Sequence, residues 1–237
     1  MPSNIKLIHG DCLDEMKKIP AESIDMILTD PPYGINFKSP RQTYQRKIEN
    51  DGFEDWLCLL PKMLCEFKRV LKPAGCCCCC CGGGKTPVTA IFTIEAIKYF
   101  NLIQTLVWKK TIGLGWKYRP SYENIVILSK DKDNYFFYDV SKKCSNVIEG
   151  INQDIPTARG EGKLQDHPTQ KPIRLMERLI QIHSLPGDTI LDPFMGGGST
   201  IIAAKELGRD AIGIEIDEEY FNLATQRVNN TNENLFN

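Results

Sequence analysis

Asp30-Pro31-Pro32-Tyr33 follows directly on the apolar run Ile24 to Leu28 and is the sharpest chemical signal in the chain. Neither proline has an N–H, and a residue before proline is driven to extended geometry, so this turn is stiff and presents mainly hydrogen-bond acceptors. It suits a group that only donates, such as an amine. The exocyclic amine of adenine is a poor nucleophile because its lone pair is delocalised into the ring. When the Asp30 carboxylate and the Pro31 carbonyl accept its two hydrogens, that pair is localised, which is electrostatic preorganisation at the reacting atom. Tyr33 adds an aromatic face for an extruded base, a contact worth about 1–3 kcal/mol. An enzyme acting on a base within a duplex needs such a pocket, because the stacked base is out of reach. Read alone, the four residues also fit an ordinary turn after a strand.

A second constellation, Leu191-Asp192-Pro193-Phe194-Met195-Gly196-Gly197-Gly198-Ser199-Thr200, lies between the apolar run Thr189 to Leu191 and a helical stretch. Glycines there allow close approach of backbone to a ligand, and a helix start favours negative charge. Glu215, at the end of the following strand, is the acidic residue expected on a ribose. These features equally suit a dinucleotide, which would make the chain a nicotinamide-dependent oxidoreductase and leave Asp30 to Tyr33 unexplained.

Short apolar runs alternating with helical stretches must position both constellations. Ile5 to Ile8 precedes Leu13 to Ile19, Ile24 to Leu28 precedes Phe53 to Leu71, and Cys76 to Cys81 precedes Val88 to Phe100. Leu102 to Trp108 and Ile125 to Leu128 follow. Then come Leu175 to His183, Thr189 to Leu191, Thr200 to Leu207, Ala211 to Ile216 and Tyr220 to Val228. The alternation predicts a mostly parallel sheet covered on both faces. Residues 34–52, with Lys38, Arg41, Arg46 and Lys47, lack apolar periodicity and read as a mobile basic loop. Residues 109–166 read as a partly irregular insertion that begins with Lys109, Lys110, Trp116, Lys117, Tyr118 and Arg119. Insertions at strand ends of an open sheet are where binding loops belong, although a charge run also fits a solvated face.

The length of 237 residues allows one sizeable core, read as a single domain over 1–237. Lys and Arg number 29 against 30 Asp and Glu, so a nucleic-acid partner has to be held by a local basic patch rather than a global field. The sequence shows neither a membrane span nor a secretory signal, and a cytoplasmic location is expected. Ten cysteines include the run Cys76 to Cys81 and, outside that run, no C-x-x-C pair to complete a ligand set, so no metal site or disulfide framework is expected. Free cysteine behaves as a small buried hydrophobe, and the run reads as a central strand buried on both faces. His183 lies at helical spacing from Leu179 and Ile180 and reads as a packed or surface residue. Neither it nor His167 is assigned a catalytic role, since the amine needs no strong base before attack.

Taken together, the D-P-P-Y turn, the D-P-F-x-G-x-G loop and the intervening His167-Pro168-Thr169-Gln170-Lys171-Pro172 resemble the amino-methyltransferases of DNA. The motif order resembles the permuted group, in which the catalytic half precedes the cofactor half. The resemblance implies a seven-stranded, Rossmann-like α/β methyltransferase fold and S-adenosylmethionine as methyl donor. It implies catalytic roles for Asp30, Pro31, Pro32 and Tyr33. The cofactor would be lined by Phe194, Gly196 and Gly198, with Asp192 and Ser199 flanking them, and Asp30 adjoining. Glu215 would take the ribose, Asp11 and Cys12 the cofactor adenine, and Thr169 and Lys171 the methionine end. Members that methylate cytosine amines usually carry serine in place of Asp30, so adenine N6 is the expected target, with cytosine N4 as the alternative. The cytosine-carbon chemistry uses a cysteine preceded by proline, and no cysteine here has one. RNA or protein amide methylation, and a catalytically silent DNA-binding protein of the same fold, stay open beside it. Lys38, Arg41, Lys109, Lys110, Trp116, Lys117 and Arg119 are the expected DNA contacts. Double-stranded DNA is the expected partner; a homodimer and a cognate restriction endonuclease are open further ones.

Overall fold

Six consecutive cysteines form the centre of the sheet. In the computed structural model, which describes residues 2–32, 52–82, 87–110, 118–119, 121–139, 144–151 and 170–231, they end strand β3 (Leu71–Cys81). All six are at most 1% exposed. Because side chains alternate along a strand, Cys76, Cys78 and Cys80 pack into one core. Cys77, Cys79 and Cys81 pack into the other. The run is therefore doubly buried, as its hydrophobic reading requires.

The remaining strands are β1 (Ile5–His9), β2 (Ile24–Thr29), β4 (Asn101–Lys109), β5 (Tyr122–Ser129), β6 (Val147–Ile148), β7 (Thr189–Asp192) and β8 (Asp210–Glu215). They form one sheet in the order β1-β8-β7-β2-β3-β5-β4-β6. Where seven strands were expected, the described residues contain eight, the extra one being two-residue β6, parallel to β4. Pairing is parallel from β1 through β3, while β5 runs antiparallel to both β3 and β4. Within the stretch 109–166, β5 is thus a core strand, with Ile125 to Leu128 at most 2% exposed.

Helices α1 (Cys12–Met16), α2 (Phe53–Val70) and α3 (Val88–Ala96) cover one face. Helices α4 (Ile173–His183), α5 (Ser199–Glu206) and α6 (Glu218–Asn230) cover the other. In α2 the buried residues Trp56, Leu60, Met63, Leu64, Phe67 and Val70 recur at three- and four-residue spacing, the stripe that seats a helix on a sheet. His183 ends α4 buried, with its ring edge-on to Phe137 at 5.7 Å. It is a packing residue. No helix among the described residues is long and apolar enough to cross a membrane.

Register decides where chemistry can gather. Thr29 ends β2 opposite Cys79, Cys81 ends β3 opposite Asn124 near the start of β5, and Lys109 ends β4 opposite Tyr122. The carboxyl ends of β1, β2, β3, β4, β7 and β8 and the start of β5 therefore share one edge of the sheet, where ligands of open α/β folds bind.

Candidate active site

Asp30 stands at that edge, one residue beyond β2, and its Oδ2 accepts a hydrogen bond from Lys171 Nζ at 2.5 Å. Lys171 lies just ahead of α4, and its side chain is 5% exposed. Its ammonium also faces Glu123 Oε2 at 3.4 Å, while Glu123 Oε1 accepts from Lys110 Nζ at 2.5 Å. Four charges thus alternate in sign across the end of β3. Burial alone would lower the Lys171 pKa, but Asp30 and Glu123 outweigh it and raise it well above the ordinary lysine range. Burial pushes Glu123 up, yet Lys171 and Lys110 hold it below the usual carboxylate range. Cys80, beneath them, is a neutral thiol, its pKa driven far up by burial first and then by Asp30.

Glu123 is the residue that sequence reasoning passed over. Its signal was a carboxylate two residues ahead of the apolar run Ile125 to Leu128, at the strand end where polar groups gather. Lys110, expected on the DNA surface, is turned inward to Glu123, with its side chain 19% exposed. Lys171, expected near the methionine end of a cofactor, is paired with the D-P-P-Y turn. By contrast, Lys109 and its partner Glu149 are 63% and 61% exposed. Arg119 is exposed, beside a fully exposed Tyr118 at φ 45°. Tyr33, Lys38, Arg41, Trp116, Lys117, His167 and Thr169 lie outside the described residues.

The glycine loop is tied down on both sides. Asp192 is buried, and its Oδ1 accepts from Thr29 Oγ1 at 2.7 Å and from Phe194 N at 3.1 Å. Burial, with the charge of Asp30 adding to it, raises its pKa to about 7 against the pull of those hydrogen bonds. Glu215, with its pKa raised chiefly by burial, accepts from Gly196 N at 2.8 Å and from Asp217 N at 3.0 Å. Its own carbonyl accepts from Gly10 N at 2.9 Å, so the loops after β1, β7 and β8 are locked together. Asp11 caps α1 by accepting from Leu13 N and Asp14 N, a structural duty beside the expected cofactor role. The Cys12 thiol is pushed up to about 12, mainly by burial.

Gly196 and Gly198 have φ of +48° and +78°. A Cβ on Gly198 would lie 3.1 Å from the Ala224 Cβ on α6. The glycine there is therefore demanded by backbone handedness and helix packing, in addition to any ligand approach. Gly198→Val should destabilise the fold by about 2–4 kcal/mol from these two effects. Urea unfolding measures it, and a parental midpoint would contradict this account of the loop.

Two polar atoms at the loop lack partners among the described residues: Ser199 Oγ and Gln170 Oε1, both buried. A Cβ on Gly197 would lie 3.5 Å from that Gln170 oxygen and 3.1 Å from Arg227 Nη1. Arg227 itself donates to the Gly197 carbonyl. The loop thus offers an orphaned hydroxyl and an orphaned carbonyl beside a positive helix start, a donor set suited to an amino-acid zwitterion.

Comparison with known proteins bears on this arrangement. A family model described as DNA methylase, of the N6/N4 type, matches residues 24–226. The chain is 34% identical to the DNA adenine methyltransferase YhdJ of Escherichia coli (strain K12), covering 94% of this chain and 82% of that protein. It is 30% identical to the Type II methyltransferase M2.DpnII of Streptococcus pneumoniae, covering 96% and 90%. The crystal structure of an M1.HpyAVI–SAM complex superposes with a TM-score of 0.70 at 27% identity, over 95% of this chain and 99% of that one.

Proposed function

Because the chain belongs to the N6/N4 DNA methylase family, we propose that it is a DNA adenine methyltransferase, transferring a methyl group from S-adenosylmethionine to N6 of adenine in double-stranded DNA. The observation that carries this reading is the Asp30 carboxylate, set in the acceptor turn at the end of β2 and held there by the buried Lys171 ammonium. Asp30 stands where cytosine-amine methylases usually carry serine; the relative named a DNA adenine methyltransferase supports the adenine assignment, and the one named a Type II methyltransferase supports a restriction-modification setting. The nicotinamide reading has no support from the family.

S-Adenosylmethionine supplies an electrophilic sulfonium methyl when bound. Glu215 and Asp11, joined through Gly10, suit its nucleoside half, and Ser199 and Gln170 suit its amino-acid end. With an adenine flipped from the duplex, Asp30 Oδ and the Pro31 carbonyl accept the amine hydrogens, Tyr33 stacks on the ring, and the lone pair is aimed at the methyl. The proton leaves after transfer, so neither histidine is needed.

Lys109, Arg119 and the basic stretch 34–52 are the proposed DNA-facing groups, because they follow strand ends at the active edge. Lys109→Gln should reduce the slope of log affinity against log salt by about 0.9, as loss of one phosphate contact does, without changing the methylated sequence. An unchanged slope removes Lys109 from the DNA face. A homodimer and a cognate endonuclease are open partners of this reading, the first tested by sedimentation. The function itself is tested by offering labelled methyl donor with duplex DNA, structured RNA and protein. Labelled DNA supports the proposal; label in RNA or protein alone, or a duplex bound but never methylated, contradicts it.

A further inference from the structure

We propose that Glu123 is a positioning residue for methyl transfer, holding the Lys171 ammonium where it fixes the Asp30 carboxylate, with Lys110 anchoring Glu123 in turn. This rests on the reading of Asp30 as the acceptor of the target amine.

The geometry assigns the two carboxylate oxygens of Glu123 to different cations, Oε1 to Lys110 at 2.5 Å and Oε2 to Lys171 at 3.4 Å. The side chains of Lys110, Glu123 and Lys171 are 19%, 13% and 5% exposed, against 24% for Asp30. Exposure thus falls to a minimum at Lys171, whose charge in so dry a place has to be matched by carboxylates. Of the carboxylates facing it, Asp30 must also receive an incoming amine, whereas Glu123 faces lysines on both sides. Glu123 can therefore hold Lys171 at every stage of the reaction.

Electrostatics gives the same division of labour. An ammonium aimed wholly at Asp30 would weaken that carboxylate as an acceptor by neutralising it. Sharing the ammonium with Glu123 keeps Asp30 fixed in direction and still able to accept. The four groups sum to zero net charge, so no proton has to move among them. Cys80 below them is a neutral thiol that offers no competing charge. Lys110 is also where β4 leaves the sheet, its N–H donating to the Ser121 carbonyl at 2.7 Å. The charge chain therefore joins the root of the segment between β4 and β5 to the catalytic turn.

The test compares Glu123→Gln and Glu123→Asp with the parent and with Asp30→Ala, measuring kcat, KM for duplex DNA, S-adenosylmethionine affinity and the pH dependence of kcat. E123Q should lower kcat about tenfold or more while KM and cofactor affinity stay within about threefold. E123Q should show an alkaline limb at lower pH than any in the parent, because Lys171, held well above the ordinary lysine range in the parent, loses a carboxylate that helps to hold its proton. E123D, which keeps the charge, should fall between E123Q and the parent in both kcat and limb. Should E123Q fail to fold by circular dichroism, E123D carries the same readouts, and parental values of both overturn the proposal. It is equally overturned if E123Q has parental kcat, or if kcat and cofactor affinity fall together with an unmoved pH profile, as a merely structural role would give. An Asp30→Ala variant with parental kcat refutes the reading of Asp30; a strongly impaired Asp30→Ala beside a parental E123Q refutes only the role of Glu123.

Discussion

Asp30→Ala should lose about a thousandfold in kcat, the scale set by removing a preorganised polar group at a reacting centre, while S-adenosylmethionine affinity stays within a few-fold of the parent. The carboxylate supplies one of two acceptors for the amine hydrogens; without it the lone pair stays in the ring. The fold should survive, because Lys171 still faces Glu123 at 3.4 Å and keeps a countercharge. Single-turnover methyl transfer and cofactor titration on the same preparation separate the two effects. Equal loss of both would make Asp30 a structural residue of the loop cluster.

Lys171→Met should destabilise the protein by about 3–5 kcal/mol near neutral pH, the usual penalty for removing one partner of a buried ion pair. The variant leaves the Asp30 and Glu123 carboxylates at the same dry edge without the cation between them. Lys171 is one of the two lysines that hold Glu123 below the usual carboxylate range. Its removal raises the folded-state pKa of Glu123. A carboxylate whose folded pKa is raised contributes stability at low pH and loses it as pH rises through that pKa. The deficit relative to the parent should therefore shrink on acidification from about pH 7.5 to about pH 5, read by urea unfolding at both. A deficit that is small, or that does not change with pH, would mean that Lys171 is not electrostatically bound to these carboxylates.

Much of the fold was legible because it rests on local periodicity. The runs from Ile5 to Val228 fall on the observed strands and helices within a few residues. The cysteine run behaved as burial on both faces predicts, since a thiol of that size packs like any small apolar side chain. The antiparallel placement of β5 and the short β6 were not legible, because strand order and direction are decided by packing between distant segments. The site divides in the same way. Asp30 and the glycine loop announce themselves through proline and glycine, whose backbone effects are written locally. Lys171 pairs with Asp30 across 141 positions, and nothing in the spacing of either residue encodes that contact. Lys110 looked like a DNA contact because a lysine at a strand end is ambiguous until its neighbour Glu123 is seen. Asp11 showed its capping duty only once Cys12–Met16 was seen to be a helix.

Nucleoside analysis of duplex DNA after incubation with the purified protein and S-adenosylmethionine should find N6-methyladenine, formed by the parent and about a thousandfold more slowly by Asp30→Ala. N4-methylcytosine in its place, or N6-methyladenine still formed at the parental rate by Asp30→Ala, would contradict this account.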